Sequence, residues 1–493
     1  MNKSLKTNFI FNLISQLFTL ILPLLTTPYL ARILGEEGNG QYSFANSIIT
    51  YFILFSNLGF TIYGQREISK CRDDKYKSSK MFFEIIYTRF IFVIISVVVL
   101  YFIVLFNGIG DKYKLLVLIL SIQVIASFFD VTFYFQGIED FKTIAMRSII
   151  LKILGLIFIF VFVKEQSDLW LYALGLSLTT ILSNLIMWSK LFGKIQYVKF
   201  RELQILKNVK PSLVIFLPTL AVSIYSVLDK TMIGLLSSNP DYQNGCYEQA
   251  YKLNSAALIL VTVISPIMLP RNTFNYSRND IEGLRKNIYN ASNYIWLISL
   301  PLLAGFLCLS SNLSSWFLGE GYDIVPLLMN IMAVRFIVSG FGVLFGEQLF
   351  LAIGKEKYNF YATMVAAILN LSLNLFLIPK YGALGAAYST AISECTVTVI
   401  LIIFVKKMNI ISLKKIILQP IKYIVASIIM YFAVFYLNKY LDYSFWTFLL
   451  EVIVGAAIYG IILILLRDKF VIYILNNMKM ILNKKKEGNK NNV

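Results

Sequence analysis

Residues 81–106 read MFFEIIYTRFIFVIISVVVLYFIVLF. As a helix rising 1.5 Å per residue, this stretch would extend about 39 Å, more than the roughly 30 Å hydrocarbon core of a bilayer. After Arg89 it carries no charge through Phe106. Such a run predicts a membrane-crossing helix. Outward from it, similar runs recur near 9–31, 41–63, 114–136, 143–163, 169–189, 211–236, 247–270, 288–309, 324–352, 358–378, 383–405, 416–437 and 444–466. The composition agrees: of 493 residues 58% are hydrophobic and 15% charged, where a soluble domain carries about 25% charged residues. The fold class expected is an all-α polytopic membrane protein with about fourteen transmembrane helices.

The chain carries 45 Lys and Arg against 27 Asp and Glu, a formal net charge of +18. In a membrane protein this excess reads as orientation, since cytoplasmic loops retain Lys and Arg, and not as nucleic-acid binding. Alternate connections hold 32 such residues on one side and 6 on the other, with seven more inside spans. The split places both termini in the cytoplasm and favours an even number of spans. The multi-pass chain is then expected in the cell inner (cytoplasmic) membrane. The tail bearing Lys484, Lys485 and Lys486 is read as a basic anchor near anionic lipid. The first apolar run is long enough to be a retained span rather than a cleaved signal. There is no histidine, which excludes Ser–His catalysis, His-ligated metal and histidine proton relays. Cys71, Cys246, Cys308 and Cys395 form no metal-ligand spacing. No metal or cofactor is expected.

An internal repeat organises these spans. Gly40-Gln41-Tyr42-Ser43-Phe44-Ala45 follows the first span and Arg66 the second; Gly245-Cys246-Tyr247-Glu248-Gln249-Ala250 follows the seventh, and Pro270-Arg271 the eighth. Gly, Tyr, Ala and Arg recur at one offset of 205. Gly108-Ile109-Gly110 and Gly319-Glu320-Gly321 correspond loosely. Six spans per copy give both copies the same orientation, so the repeats relate by an axis along the membrane normal, with substrate expected between the lobes near the midplane. The expected division is an N-lobe over 1–200, a C-lobe over 201–410, two added spans over 411–467 and a basic tail over 468–493.

The run Asp130-Val131-Thr132-Phe133-Tyr134-Phe135-Gln136-Gly137-Ile138-Glu139-Asp140-Phe141-Lys142 resembles the fourth-span signature of polysaccharide repeat-unit flippases of the Wzx type. So does Pro28-Tyr29-Leu30-Ala31-Arg32-Ile33-Leu34-Gly35, continuing to Gly40 and Tyr42. Tyr225-Ser226-Val227-Leu228-Asp229-Lys230, then Gly234, Gly245, Tyr247, Ala250 and Pro270-Arg271, form a third match. The resemblance extends from about residue 5 to 405. It implies the polysaccharide transporter family of the multidrug/oligosaccharidyl-lipid/polysaccharide exporter superfamily, with a MATE-like V-shape of two six-helix lobes that alternate between inward-open and outward-open states. The implied substrate is an undecaprenyl-pyrophosphate-linked oligosaccharide, such as an O-antigen, capsule or exopolysaccharide unit, moved from the inner to the outer leaflet. Membrane lipids, a polysaccharide polymerase and a chain-length regulator are the implied partners. The superfamily's lipid II flippase uses several arginines in its first two spans; here the first span holds Asn12 and Gln16 before Arg32.

Charges within the spans are the candidate site, since an ionisable residue at a helix centre costs about 2.5–3.5 kcal/mol on insertion scales. Arg335 lies twelve residues beyond Asp323, about 18 Å along a helix. It reads either as a cation facing substrate or as half of a structural ion pair. Lys152 reads the same way. Lys252, Lys230, Arg147 and Arg89 complete the candidate cationic cavity. Arg89 and Lys422 lie near span ends, where long side chains can snorkel to the headgroups. Arginine suits a pyrophosphate because its guanidinium bonds phosphate in bidentate fashion. Glu248 precedes Lys252 by one turn, a favourable order for a pair, and Asp229 could pair with Lys252 between spans. Asp229, Glu394, Asp130 and Glu347 are the candidates for ion coupling. Tyr225, Tyr247 and Tyr251 could stack on sugars.

Two other functional classes compete. A membrane glycosyltransferase or polymerase would need catalytic groups on substantial external loops, but the longest here, about 237–246 and 310–323, are short and lack Lys and Arg. A multidrug or cation antiporter would favour an acidic cavity, whereas these spans carry a cationic surplus. No GxxxxGK[ST] loop is present for ATP-driven export. The expectation is a transporter, not an enzyme.

Overall fold

The computed structural model describes residues 3–106, 108, 110–473 and 476, with side chains at all of these except 3–21, 24, 217–226 and 418. The tail lysines 484–486 therefore lie outside the described residues, and Asn12, Gln16 and Tyr225 outside the described side chains. Among the described residues all regular structure is helical. The helices are α1 (Lys3–Asn57), α2 (Phe60–Lys70), α3 (Lys75–Leu105), α4 (Asp111–Phe128), α5 (Thr132–Gly137), α6 (Phe141–Phe162), α7 (Leu169–Leu191), α8 (Val209–Leu236) and α9 (Pro240–Thr262). They continue as α10 (Ser265–Ser277), α11 (Ile281–Leu318), α12 (Val325–Met332), α13 (Arg335–Val343), a π-helical turn (Leu344–Leu351), α14 (Lys357–Tyr381), α15 (Ala383–Met408), α16 (Leu413–Leu418), α17 (Ile421–Tyr440) and α18 (Phe445–Leu465).

Twelve segments among the described residues are long and apolar enough to cross a membrane. They coincide with the predicted spans other than the first and seventh, which lie on α1 and α8 where side chains are only partly described. The protein is thus a multi-pass, all-α membrane protein of about fourteen spans. The first two predicted spans lie along α1, which is two helices meeting at a kink where Gly35 is non-helical (φ 66°, ψ −178°), a conformation that glycine alone adopts cheaply.

The 205-residue repeat is written into the helix boundaries as well as the motifs. α1 ends at Asn57 and α2 starts at Phe60; α9 ends at Thr262 and α10 starts at Ser265. Both boundaries are displaced by 205 residues. The break between Phe128 and Thr132 returns, at offsets of 204 and 203 residues, between Met332 and Arg335, so Arg335 stands at the second break as Asp130 stands at the first.

A broken helix within a bilayer must satisfy its freed backbone groups inside the protein. At the first break Arg89 does this. It is fully buried, donates to the carbonyls of Ser127 (3.4 Å) and Asp130, and lies over the Phe133 ring at 5.3 Å. Asp130 accepts from the Thr132 backbone N–H at 2.9 Å, opening α5.

The chain divides into two compact units: residues 1–248 with 374–383, and 249–373 with 384–493. In lipid, helices associate through close packing and hydrogen bonds rather than hydrophobic burial. In the first unit, accordingly, a Cβ at Gly64 would strike the Phe133 ring, and one at Gly137 would strike Ile68. This locks α2 against α5. Phe60, Phe82, Phe133 and Phe135 are fully buried around that contact. Where α1 passes α9 the approach is backbone on backbone: a Cβ at Gly40 would overlap the Asp241 carbonyl, and one at Gly245 the Glu36 carbonyl. In the second unit, Phe336, Phe345 and Phe350 centre one buried cluster, and α17 and α18 pack Met430, Val434, Tyr459 and Leu463 against Ala304 and Leu309 of α11.

Candidate functional site

Arg335 and Glu394, singled out separately in the sequence, are each other's partners. Arg335 opens α13 at the break in its span, and Glu394 stands mid-way along α15. Arg335 Nε donates to Glu394 Oε1 at 2.8 Å, with side-chain exposures of only 6% and 13%. Ser339, one turn beyond Arg335, donates its hydroxyl to the other Glu394 oxygen. The guanidinium carbon lies 4.7 Å from the centre of the Tyr251 ring. The arrangement is a charge-assisted pair with an aromatic floor, held inside a low-dielectric region where removing either partner strands the other. Nearer the end of the same span, Glu347 sits in the π-helical turn, exposed, and accepts from the Ser265 hydroxyl at 2.9 Å. π-turns often mark functional positions.

The first unit holds a second polar cluster, on α8 and α9. Lys230 pairs with Glu248. Ser43 of α1 donates to the same carboxylate at 3.3 Å; Ser43 and Glu248 are 205 residues apart, hence equivalent in the repeat. Asn244 donates to the Lys230 carbonyl at 2.7 Å. Asp229, adjacent to Lys230 but pointing elsewhere, accepts from the Tyr247 hydroxyl and, at 2.7 Å, from Asn374. Tyr247 is thereby buried as a hydrogen-bond donor. At the start of α9, Asp241 takes an ion pair from Lys112 and a 2.6 Å hydrogen bond from Tyr113.

The remaining sequence candidates separate. Arg89 does not snorkel: its guanidinium serves the helix break described above. Arg147 is half-buried, with Nη1 3.5 Å from the Ser183 carbonyl. Lys152 and Lys252 are half-buried. Lys422 is half-buried and donates to the Leu466 and Arg467 carbonyls at 2.9 and 3.1 Å, closing the C-terminal end of α18 as cations favourably do. The Ser43 and Ser339 hydroxyls were missed in the sequence, because a serine in an apolar run carries no signal; the repeat offset could have found Ser43 through Glu248. The fourth-span signature proves to be largely a folding motif. Phe133, Tyr134, Phe135 and Gly137 are packed inside, and Asp140 caps α6 through Thr143 while pairing with Lys194 at 2.8 Å. Although partial burial disfavours its charge, the bonds from Lys194 and Thr143 hold the Asp140 carboxyl below its usual range.

Comparison with known proteins places this geometry. Residues 5–271 match the family described as "Polysaccharide biosynthesis protein". A "Putative O-antigen transporter" of Escherichia coli (strain K12) is 26% identical over 409 residues, covering 82% of this chain and 97% of its own. The capsular polysaccharide biosynthesis protein CapF of Staphylococcus aureus is 23% identical over 403 residues, covering 80% and 96%. Among solved structures, the lipid II flippase MurJ in an inward closed conformation superposes with a TM-score of 0.75 at 18% identity, covering 93% of this chain and 99% of that one. An inward-facing multidrug resistance MATE family transporter of the MOP superfamily gives 0.58 at 12% identity, covering 79% and 98%. The fold is therefore that of the MurJ and MATE transporters, and the chain belongs to the polysaccharide biosynthesis protein family.

Proposed function

We propose that this protein is a flippase, carrying an oligosaccharide linked to undecaprenyl pyrophosphate from the inner to the outer leaflet of the cytoplasmic membrane by alternating access. Relatives named as an O-antigen transporter and a capsular polysaccharide protein support the cargo class. The observation that carries the site is the buried Arg335–Glu394 pair. A diphosphate brings about two negative charges into a region where uncompensated charge is costly. Arg335 offers a bidentate partner for it, and Glu394 is the intramolecular anion the substrate must displace. Capture of the coupling ion by the Glu394 carboxylate would free the guanidinium, which links ion uptake to substrate capture. Within the first unit, Lys152 is a further candidate cation, and the Lys230–Glu248 pair a second exchangeable contact. Only ligands that bind two states with different affinity shift the balance between them, and a displaceable pair supplies that difference.

The test is transport normalised to the amount of folded protein in the membrane. Arg335→Ala is expected to abolish flipping, and Arg335→Lys to retain part of it, because charge survives without the fork. Glu394→Gln is expected to retain substrate binding and lose dependence on the ion gradient. Normal transport by folded Arg335→Ala protein would remove the pair from the mechanism. Removing one member of a buried pair can cost about 3–5 kcal/mol, so the Arg335→Gln/Glu394→Gln double variant serves as the folded control and is also expected to be inactive.

A further inference from the structure

A cavity of about 520 Å³ opens on the second unit where α11 begins, α15 ends and α16 follows. Arg285, Lys406 and Lys415 line it together with Tyr289, Ile410 and Ser412. The walls are pinned in place. Arg285 Nε donates to the Ile410 carbonyl at 2.6 Å, the Ser412 N–H donates to the Tyr289 hydroxyl at 2.8 Å, and the Lys415 ammonium lies 5.5 Å from the centre of the Tyr289 ring.

No carboxylate lines this cavity. The first unit treats the cations of its basic loops differently: Lys70 pairs with Glu67, Arg72 with Glu139, Lys77 with Asp74 and Lys194 with Asp140. Among the described residues, Arg285, Lys406 and Lys415 have no such ion pair. The nearest acid along α11, Glu282, is exposed one turn earlier, while Lys286, Lys407 and Lys414 add further positive charge beside the rim. Three converging cations repel one another unless an anion neutralises them, and a concave basic site focuses its field on such an anion. The guanidinium retains two Nη groups for bidentate phosphate recognition, with the ammonium groups as point-charge partners.

The height of the cavity suits a lipid headgroup. It stands at the terminal turns of two membrane-crossing helices, and the exposed Ile417 and Ile421 follow Lys415 along the chain toward α17. We propose that this cavity binds a phosphate ester group, and that the bound anion fastens the start of α11 to the segment leading into the two added spans α17 and α18.

The test uses the full chain in phosphatidylcholine nanodiscs with and without phosphatidylglycerol, and in detergent with inorganic phosphate or pyrophosphate. Thermal melting and native mass spectrometry report binding. Phosphatidylglycerol is expected to raise the melting temperature and remain bound, with each of Arg285→Gln, Lys406→Gln and Lys415→Gln weakening retention about fivefold and the triple variant abolishing it. Stabilisation by phosphatidylglycerol alone assigns the site to lipid; equal, saturable stabilisation by soluble phosphate assigns it to a free anion. If the triple variant folds poorly, the single variants carry the comparison. A Lys439→Gln variant, altered at the exposed far end of α17, is expected to respond as wild type does. Identical responses by wild type, the three single variants and the triple variant to both kinds of anion would overturn the proposal.

Discussion

Arg89 shows what residue-level reasoning can and cannot reach. Its position in an apolar run marked it as costly, but the cause lies 41 residues away, where the Asp130 carbonyl loses its helical partner. The apolar pattern runs on through Phe128 and Phe129 and so hides that break. The same holds for Arg335 and Glu394: each was legible as an expensive charge, yet their pairing spans 59 residues and two helices, and no local spacing encodes it. Because Arg89 satisfies buried carbonyls, Arg89→Met is expected to destabilise the protein by about 1–3 kcal/mol. Melting of the detergent-solubilised protein should fall, while flipping per folded molecule stays within about twofold of wild type by the factor-of-ten-per-1.4 kcal/mol scale. Unchanged melting with lost flipping would instead make Arg89 part of the substrate path.

Among elements, the spans were readable because apolar length is a strong signal, and the repeat because glycine and tyrosine recur at a fixed offset. What the repeat is for emerges only from the contact it makes. Gly40 and Gly245 bring α1 and α9 together backbone to backbone, with Ser43 and Glu248 bonded one turn further on. Any side chain at either glycine must push the helices apart. Gly245→Leu is therefore expected to weaken this contact, and a cysteine pair at Ser43 and Glu248, on the Gly245→Leu background, to cross-link more slowly than on the wild-type background. Equal cross-linking would show that the crossing tolerates a side chain. The N-terminus of α6 offers a pH-dependent test. Asp140 has a depressed folded-state pKa, so its stabilisation is fully present above the unfolded value of about 3.9 and is lost as pH falls through the lower folded value. Asp140→Asn keeps the cap but loses the Lys194 pair, and Asp140→Ala loses both, at a cost of about 1 kcal/mol for the cap. Hydrogen exchange at the first turn of α6 should rise for Asp140→Ala at neutral pH and for wild type only in acid.

At the scale of the whole molecule, the asymmetry of 32 positive residues to 6 and the parallel repeat make one joint claim. An even number of spans per copy is what allows both copies to share orientation, and the loop charges say which way they face. The basic cavity between α11, α15 and α16 belongs to the same argument, since it lies on the positively charged side. Reporter fusions at Lys77 and Val198, and at Asn489 beyond the described residues, are expected to report cytoplasm; fusions at Gly110, Asn244 and Leu318 are expected to report the exterior. The decisive pair is Val198 and Asn244, on either side of α8, because the orientation of the second copy turns on that one helix. Cytoplasmic signal at both Asn244 and Leu318 would mean that α8 does not cross, leaving the copies in opposite orientations. The 205-residue correspondence of the helix breaks would then have to relate inverted rather than parallel repeats.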